Sequence, residues 1–161
     1  MSPNKLKQLA RLKSLLPPEE VSFESSVLEQ HAGDKWFATH KPDAVALPRT
    51  TESVSTLLRF ANQHRLPVTP RGAGYGYVGG CVPVRGGIVL SLARMNRIKE
   101  INARDFVAVV QAGVNTKKLQ DAVQRKGLFY PPDHASRADT FIGGNIATNA
   151  GGPRSLKYGV T

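Results

Sequence analysis

The sequence predicts an α+β protein, and three observations carry that assignment. A strand–helix–strand pattern fills residues 44–70; runs rich in β-branched residues follow; and fourteen of the fifteen glycines lie beyond Arg71. The expected architecture is two small α/β subdomains, the strand–helix–strand unit and a mixed or antiparallel sheet.

Along the chain, Leu6, Leu9, Leu12 and Leu16 recur at helical spacing, so Pro3 to Leu16 reads as an amphipathic helix stopped by Pro17 and Pro18. This helix and its lead-in, 1–43, stand as an appendage before a body at 44–161. "AVALP" from Ala44 reads as a strand. Thr50 or Thr51 then caps a helix with Glu52 in its first turn and Val54, Leu57, Leu58 and Ala61 on one face. His64 and Arg65 close that helix, and "LPVTP" is a second strand, which makes a parallel pair. "GIVLSL" and "FVAVVQAGV" read as further strands separated by "ARMNRIKEIN". Asn115 to Lys126 reads as a helix with Leu119, Ala122 and Val123 inward and Gly127 as its C-cap.

At 161 residues and 40% hydrophobic, the chain can bury the core of one globular domain. Its 22 Lys and Arg against 12 Asp and Glu give a formal charge of +10, compatible with nucleic acid, a membrane surface or an anionic ligand. Lys5, Lys7, Arg11 and Lys13 crowd the N-terminus while the other cations are scattered, which argues against specific nucleic-acid binding. One cysteine, Cys81, rules out internal disulfides and CxxC metal motifs, and none of His31, His40, His64 and His134 has metal-ligand spacing, so no metal is expected. His134 is the histidine worth following, because it succeeds the Pro131–Pro132–Asp133 turn. No apolar run approaches the ~18 residues of a membrane span. The default location is cytoplasmic; the acid-free basic stretch 1–18 reads either as a mitochondrial transit segment or as a solvated helix whose leucines pack on the domain.

"PRGAGYGYVGG", Pro70 to Gly80, contains G-x-G-x-x-G at Gly74, Gly76 and Gly79. A Rossmann site needs a helix immediately afterwards to receive the pyrophosphate, but Pro83, Gly86 and Gly87 forbid one; Glu100 falls near the ribose-acid distance by chance. No Gly-Lys pair exists for a Walker loop. Two readings remain: an anion nest of backbone N–H groups, or a flexible turn. A second segment, Pro131 to Thr161, contains Gly143–Gly144 and Gly151–Gly152 among Asn145, Thr148 and Asn149. Two side-chain-poor segments together suit an extended ligand with a diphosphate and a ring system.

These residues resemble the FAD-binding, PCMH-type domain of the vanillyl-alcohol-oxidase superfamily, nearest the branch of FAD-linked 2-hydroxy-acid dehydrogenases, glycolate oxidase FAD subunits and D-lactate dehydrogenases. "TTESV…LLRFANQHRLPVTPRGAG", "GGIVLSLARMNRI", "VVQAGV" and "PPD…TFIGGNIATNAGGPRSLKYGVT" carry the resemblance over 44–161. It implies FAD between the two subdomains. Backbone of Arg71, Gly72, Ala73, Gly74, Tyr75 and Gly76, with Gly79 and Gly80, would wrap the diphosphate. Pro132, Asp133, Thr140, Gly143, Gly144, Asn145, Thr148, Gly151 and Gly152 would line the ribityl chain and isoalloxazine. Arg71 either contacts the cofactor or braces the loop, Asp133 is either a ligand or a turn acid, and Tyr158 can be core.

Many relatives have Thr or Ser where this chain has Tyr75 and Gly76, and the loop lacks the histidine of covalently flavinylated members, so non-covalent FAD is expected. The resemblance covers an N-terminal part only, which implies a truncated chain lacking its C-terminal substrate-binding region, inactive alone, and with no nameable catalytic acid or base. The expected activity of the whole is FAD-dependent oxidation of a 2-hydroxy acid of the glycolate or D-lactate type, or a similar alcohol, by hydride transfer to flavin. Expected partners are that small-molecule substrate and the missing region or other oxidase subunits. The alternative is a non-catalytic FAD-binding remnant or module.

Overall fold

The computed structural model describes residues 3–161, with side chains from Lys7 onward. The chain forms two compact units, one ending at Arg94 and the other running from Met95 to Thr161.

The first unit opens with helix α1, Pro3–Leu15. Leu9, Leu12 and Leu16 are buried in the same apolar cluster as Leu57, Phe60, Ile88 and Leu90, so the leucine face packs on the domain; the Leu6 side chain lies outside the described residues. Strand β1, Val21–Ser22, and helix α2, Ser25–Gln30, then fill a stretch in which the sequence showed no element. Strand β2, Ala44–Ala46, leads to helix α3, Thr51–Gln63, whose N-cap is Thr50: its side chain accepts the Ser53 amide at 3.1 Å. Leu57, Phe60 and Ala61 are its buried residues. Leu58 is 44% exposed, contrary to expectation, because at 100° per residue it falls beyond the face centred on Leu57 and Ala61.

Strand β3, Val68–Arg71, and strand β4, Ile88–Ser91, complete a mixed sheet in the order β1-β2-β4-β3. β2 and β3 are both parallel to β4, and β1 is antiparallel to β2. The expected β2–β3 pair is thus corrected: β4 sits between them. Its four residues are all buried, and Ile88, Val89 and Leu90 form the continuous apolar run of a central parallel strand, whereas β3 contains Pro70 and takes the edge, where a missing N–H is tolerated.

In the second unit, strand β5, Ile98–Asn102, pairs antiparallel with strand β6, Val107–Val110. β5 lies inside "ARMNRIKEIN", read from sequence as a separator, and it rather than "GIVLSL" is the partner of β6. Helix α4, Thr116–Gln124, is capped by the Asn115 side chain on the Lys118 amide at 3.0 Å, buries Leu119, Ala122 and Val123, and is followed by Gly127 at φ +73°. Val114, Leu119, Val123 and Ile142 form this unit's buried cluster. Two short helices close the chain, α5, Ile142–Ala147, and α6, Ser155–Tyr158. No described helix is long and apolar enough to cross a membrane.

Candidate functional site

Each unit carries one of the two glycine-rich segments. In the first, the chain leaves the carboxyl end of parallel strand β3 directly into 72–80, the end of a parallel sheet at which ligands are bound in open α/β folds. The Arg71 guanidinium turns back within the unit: Nη1 donates to the Gly33 carbonyl and lies 3.2 Å from Cys81 Sγ. Gly74 adopts φ +79°, and a Cβ there would fall 2.1 Å from Arg71 Nη2. The arginine therefore fills the inside of the turn; glycine is required by the conformation, and any side chain there would also have to displace the guanidinium.

Most amides of the loop are unspent. The amides of residues 72–78 and of Gly80 donate to no acceptor among the described residues. Gly79 differs: at φ +72°, its amide donates to Asp34 Oδ2 at 2.8 Å. Successive backbone donors left without acceptors beside a residue of positive φ are the raw material of an anion nest.

Gly76 and Gly80 add a second signal. A Cβ on either would meet nothing within 4 Å, and neither has a positive φ, so nothing in the fold asks for glycine there. Gly144, within α5, behaves the same way. A glycine inside a helix costs about 0.5–1 kcal/mol relative to alanine, and no contact among the described residues offsets that cost at Gly144.

The other glycines of the second segment serve the fold. A Cβ on Gly143 would come 2.7 Å from Ala112 Cβ, while the Gly143 amide donates to the Ala112 carbonyl at 2.8 Å. One on Gly152 would come 2.1 Å from the Asp133 carbonyl oxygen, and one on Gly151 would come 2.9 Å from Ser155 Oγ. Pro132 is buried and its carbonyl accepts from Gln120 Nε2 at 2.7 Å. Asp133 is held by two arginines, Arg137 at 3.0 Å and Arg154 at 3.4 Å. They line a cavity of about 510 Å³ beside Phe129 and Tyr130, in which Lys117 also pairs with Asp121. The Thr148 hydroxyl donates to the Gly144 carbonyl at 2.9 Å on an exposed surface.

Thr140 and Asn145 are buried and point inward, into a hydrogen-bonded chain with His134 and Thr116. His134 Nε2 is 2.6 Å from Thr140 Oγ1, Thr140 Oγ1 is 3.3 Å from Thr116 Oγ1, and Asn145 Nδ2 donates to Thr116 Oγ1 at 2.6 Å. Each bond of the chain has one donor and one acceptor when Nε2–H donates to Thr140, Thr140 donates to Thr116, and Thr116 donates to the Thr140 carbonyl. That direction leaves the buried His134 Nδ1 lone pair without a partner. Burial lowers the His134 pKa below the usual 6.5; Asp133 opposes the shift and Arg137 adds to it. The chain ties the first residue of α4 to the 134–140 loop and to α5. Thr116 was not legible as part of this network, since only its place as first residue of α4 is visible locally.

Sequence reasoning also missed Asp34 and Lys35. The Gly33–Asp34 pair signals a turn, but nothing local says that the turn meets the glycine loop. Among the described residues no three His, Cys, Asp or Glu groups assemble into a metal site.

A family model of an FAD binding domain matches residues 42–161. Glycolate oxidase subunit GlcD of Bacillus subtilis is 50% identical over 120 residues, covering 74% of this chain and 26% of that protein. D-2-hydroxyglutarate dehydrogenase of Stutzerimonas stutzeri is 40% identical over 152 residues, covering 93% and 32%. Among solved structures, an alkyldihydroxyacetonephosphate synthase superposes with a TM-score of 0.86 at 25% identity, covering 96% of this chain and 34% of that one. p-Cresol methylhydroxylase with substrate bound superposes at 0.79 and 26% identity, covering 93% and 30%. The chain thus spans between a quarter and a third of the length of these proteins.

Proposed function

The chain belongs to the FAD binding domain family, and from that premise we propose that it holds FAD non-covalently as the cofactor-binding part of an oxidoreductase acting on a 2-hydroxy acid. The observation that carries this reading is the run of amides from Gly72 to Val78 that donate to no acceptor among the described residues, with the unconstrained Gly76 inside it. Unpaired peptide N–H groups suit phosphate oxygens, and a missing Cβ lets them come within hydrogen-bonding distance. Gly144 gives the same access to α5 in the segment from Pro132 to Gly152, to which the ribityl and isoalloxazine parts are assigned.

Bound FAD supplies a two-electron acceptor for oxidation of an alcohol carbon. The residues of this chain bind and orient it. Arg71 braces the loop from inside, and the His134–Thr140–Thr116–Asn145 chain fixes α5 relative to the loop before it. Absence of histidine from 71–80 supports non-covalent attachment. The substrate class is supported by relatives named for glycolate, D-lactate and D-2-hydroxyglutarate.

Calorimetric titration with FAD, FMN and NAD tests the cofactor part. FAD should bind most tightly; NAD binding equal to or tighter than FAD would overturn it. Reduction of an artificial acceptor by the full-length reading frame, with a panel of 2-hydroxy acids and simple alcohols, tests the substrate part.

A further inference from the structure

The segment just before the family match supplies an unexpected half of the loop. Gly33 bridges Thr39 antiparallel, the Asp34 amide donates to the Ala38 carbonyl at 3.3 Å, and the His40 amide donates to the Ala32 carbonyl at 2.9 Å. Asp34 Oδ1 accepts the Trp36 amide at 2.9 Å, which closes the tip. This small hairpin grips the glycine loop at three points: the Gly33 carbonyl takes Arg71 Nη1, Asp34 Oδ2 takes the Gly79 amide at 2.8 Å, and the Lys35 amide donates to the Gly76 carbonyl at 3.1 Å. The Lys35 ammonium lies 4.7 Å from the centre of the Tyr75 ring and has no carboxylate partner among the described residues.

We propose that this hairpin is a working part of the cofactor site, with Asp34 positioning the loop and Lys35 contacting the diphosphate. The proposal deepens the FAD reading and rests on it. Asp34 consumes the Gly79 amide, which leaves the amides of 72–78 and of Gly80 without an acceptor among the described residues, and Tyr75 lies at the middle of the longer run. That is where the unpaired cation stands. A flexible ammonium can leave an aromatic face for a doubly charged ligand, since a cation–π contact at an exposed site is worth only about 0.5–1 kcal/mol. Asp34 acts by geometry: its two oxygens hold the hairpin tip and the Gly79 turn in one arrangement.

The test compares the 161-residue chain with Lys35→Ala, Lys35→Arg, Asp34→Ala and Asp34→Asn, using FAD, riboflavin and inorganic pyrophosphate as probes. Lys35→Ala should bind FAD and pyrophosphate about three- to tenfold more weakly at low ionic strength. The deficit should close at about 1 M salt, where the Debye length is ~3 Å. Lys35→Arg should restore binding, and riboflavin, which has no phosphate, should not distinguish the variants. Asp34→Ala should speed hydrogen exchange at the Gly79 amide, with Asp34→Asn close to the parent. Unchanged FAD and pyrophosphate affinity in Lys35→Ala at low salt, or equal losses for riboflavin and FAD, overturns the proposal. Lys35-dependent pyrophosphate binding without FAD binding would sink the FAD reading while leaving the hairpin's role standing; binding of neither probe by the parent chain overturns both.

Discussion

The carbonyl oxygen of Asp133 lies 2.1 Å from the point that a Cβ on Gly152 would occupy. The chain returns after α5 and closes on the loop before it at a contact that only glycine permits. A backbone oxygen cannot swing aside, so Gly152→Ala should destabilise the second unit by about 1–3 kcal/mol, the usual range for an overpacked interior. Urea unfolding of the parent and the variant measures it, and equal midpoints would show that the contact relaxes freely.

Gly144 makes the opposite prediction. Because a Cβ there meets nothing, Gly144→Ala should stabilise the unliganded chain by about 0.5–1 kcal/mol through helix propensity. The same substitution should weaken FAD binding. A variant that melts higher yet binds less flavin separates a glycine kept for a ligand from one kept for the fold; unchanged affinity would remove Gly144 from the site.

In the loop of the first unit, Gly74→Val should abolish flavin retention, since it violates φ +79° and drives a branched side chain into the Arg71 guanidinium. Tyr75→Phe keeps the ring under Lys35 and should cost little. Equal losses would assign the anion to the tyrosine hydroxyl instead of the backbone.

His134 titrates below its ordinary value of 6.5 because it is buried. The unfolded chain therefore takes up the proton first as pH falls. Stability from this group is complete above about pH 6.5 and is lost as pH drops through that value towards the lowered one. His31 adds the same sign: burial lowers its pKa, Arg71 reinforces the shift, and the Nδ1 contact with the Val27 carbonyl at 2.8 Å opposes it. Unfolding free energy should fall as pH drops below about 6.5, and His134→Gln should flatten that slope. An unaltered slope would show that the histidine contributes nothing to it.

Non-covalent attachment predicts that acid or heat precipitation releases yellow flavin into the supernatant. Flavin that stays with the pellet would show a covalent bond.

Helices α3 and α4 were legible because their signals are local: a capping Thr50 or Asn115, an apolar face at 3.6 spacing, and Gly127 at the stop. The position of β4 was not, since the partners of a strand lie far along the chain and a buried run of Ile88, Val89 and Leu90 fits any central place. Helix α5 contradicts its own composition, with two glycines in six residues; tertiary bonds outweigh propensity there, through buried Ile142 and the Asn145–Thr116 hydrogen bond. The glycine segments were visible as candidate sites. Which glycines serve the fold and which stand open was not, because that depends on what a Cβ would meet across the unit.

Trp36, at the tip of the hairpin that holds the glycine loop, is the chain's single tryptophan and stacks edge-on against Tyr77 at 5.9 Å. The molecule thereby contains its own optical probe, confined to one unit. Excitation at the red edge of the indole band reports the first unit alone, because the second contains only tyrosines, Tyr130 and Tyr158. Tryptophan emission followed beside far-ultraviolet circular dichroism then reveals whether the two units melt together or in succession, with no label attached.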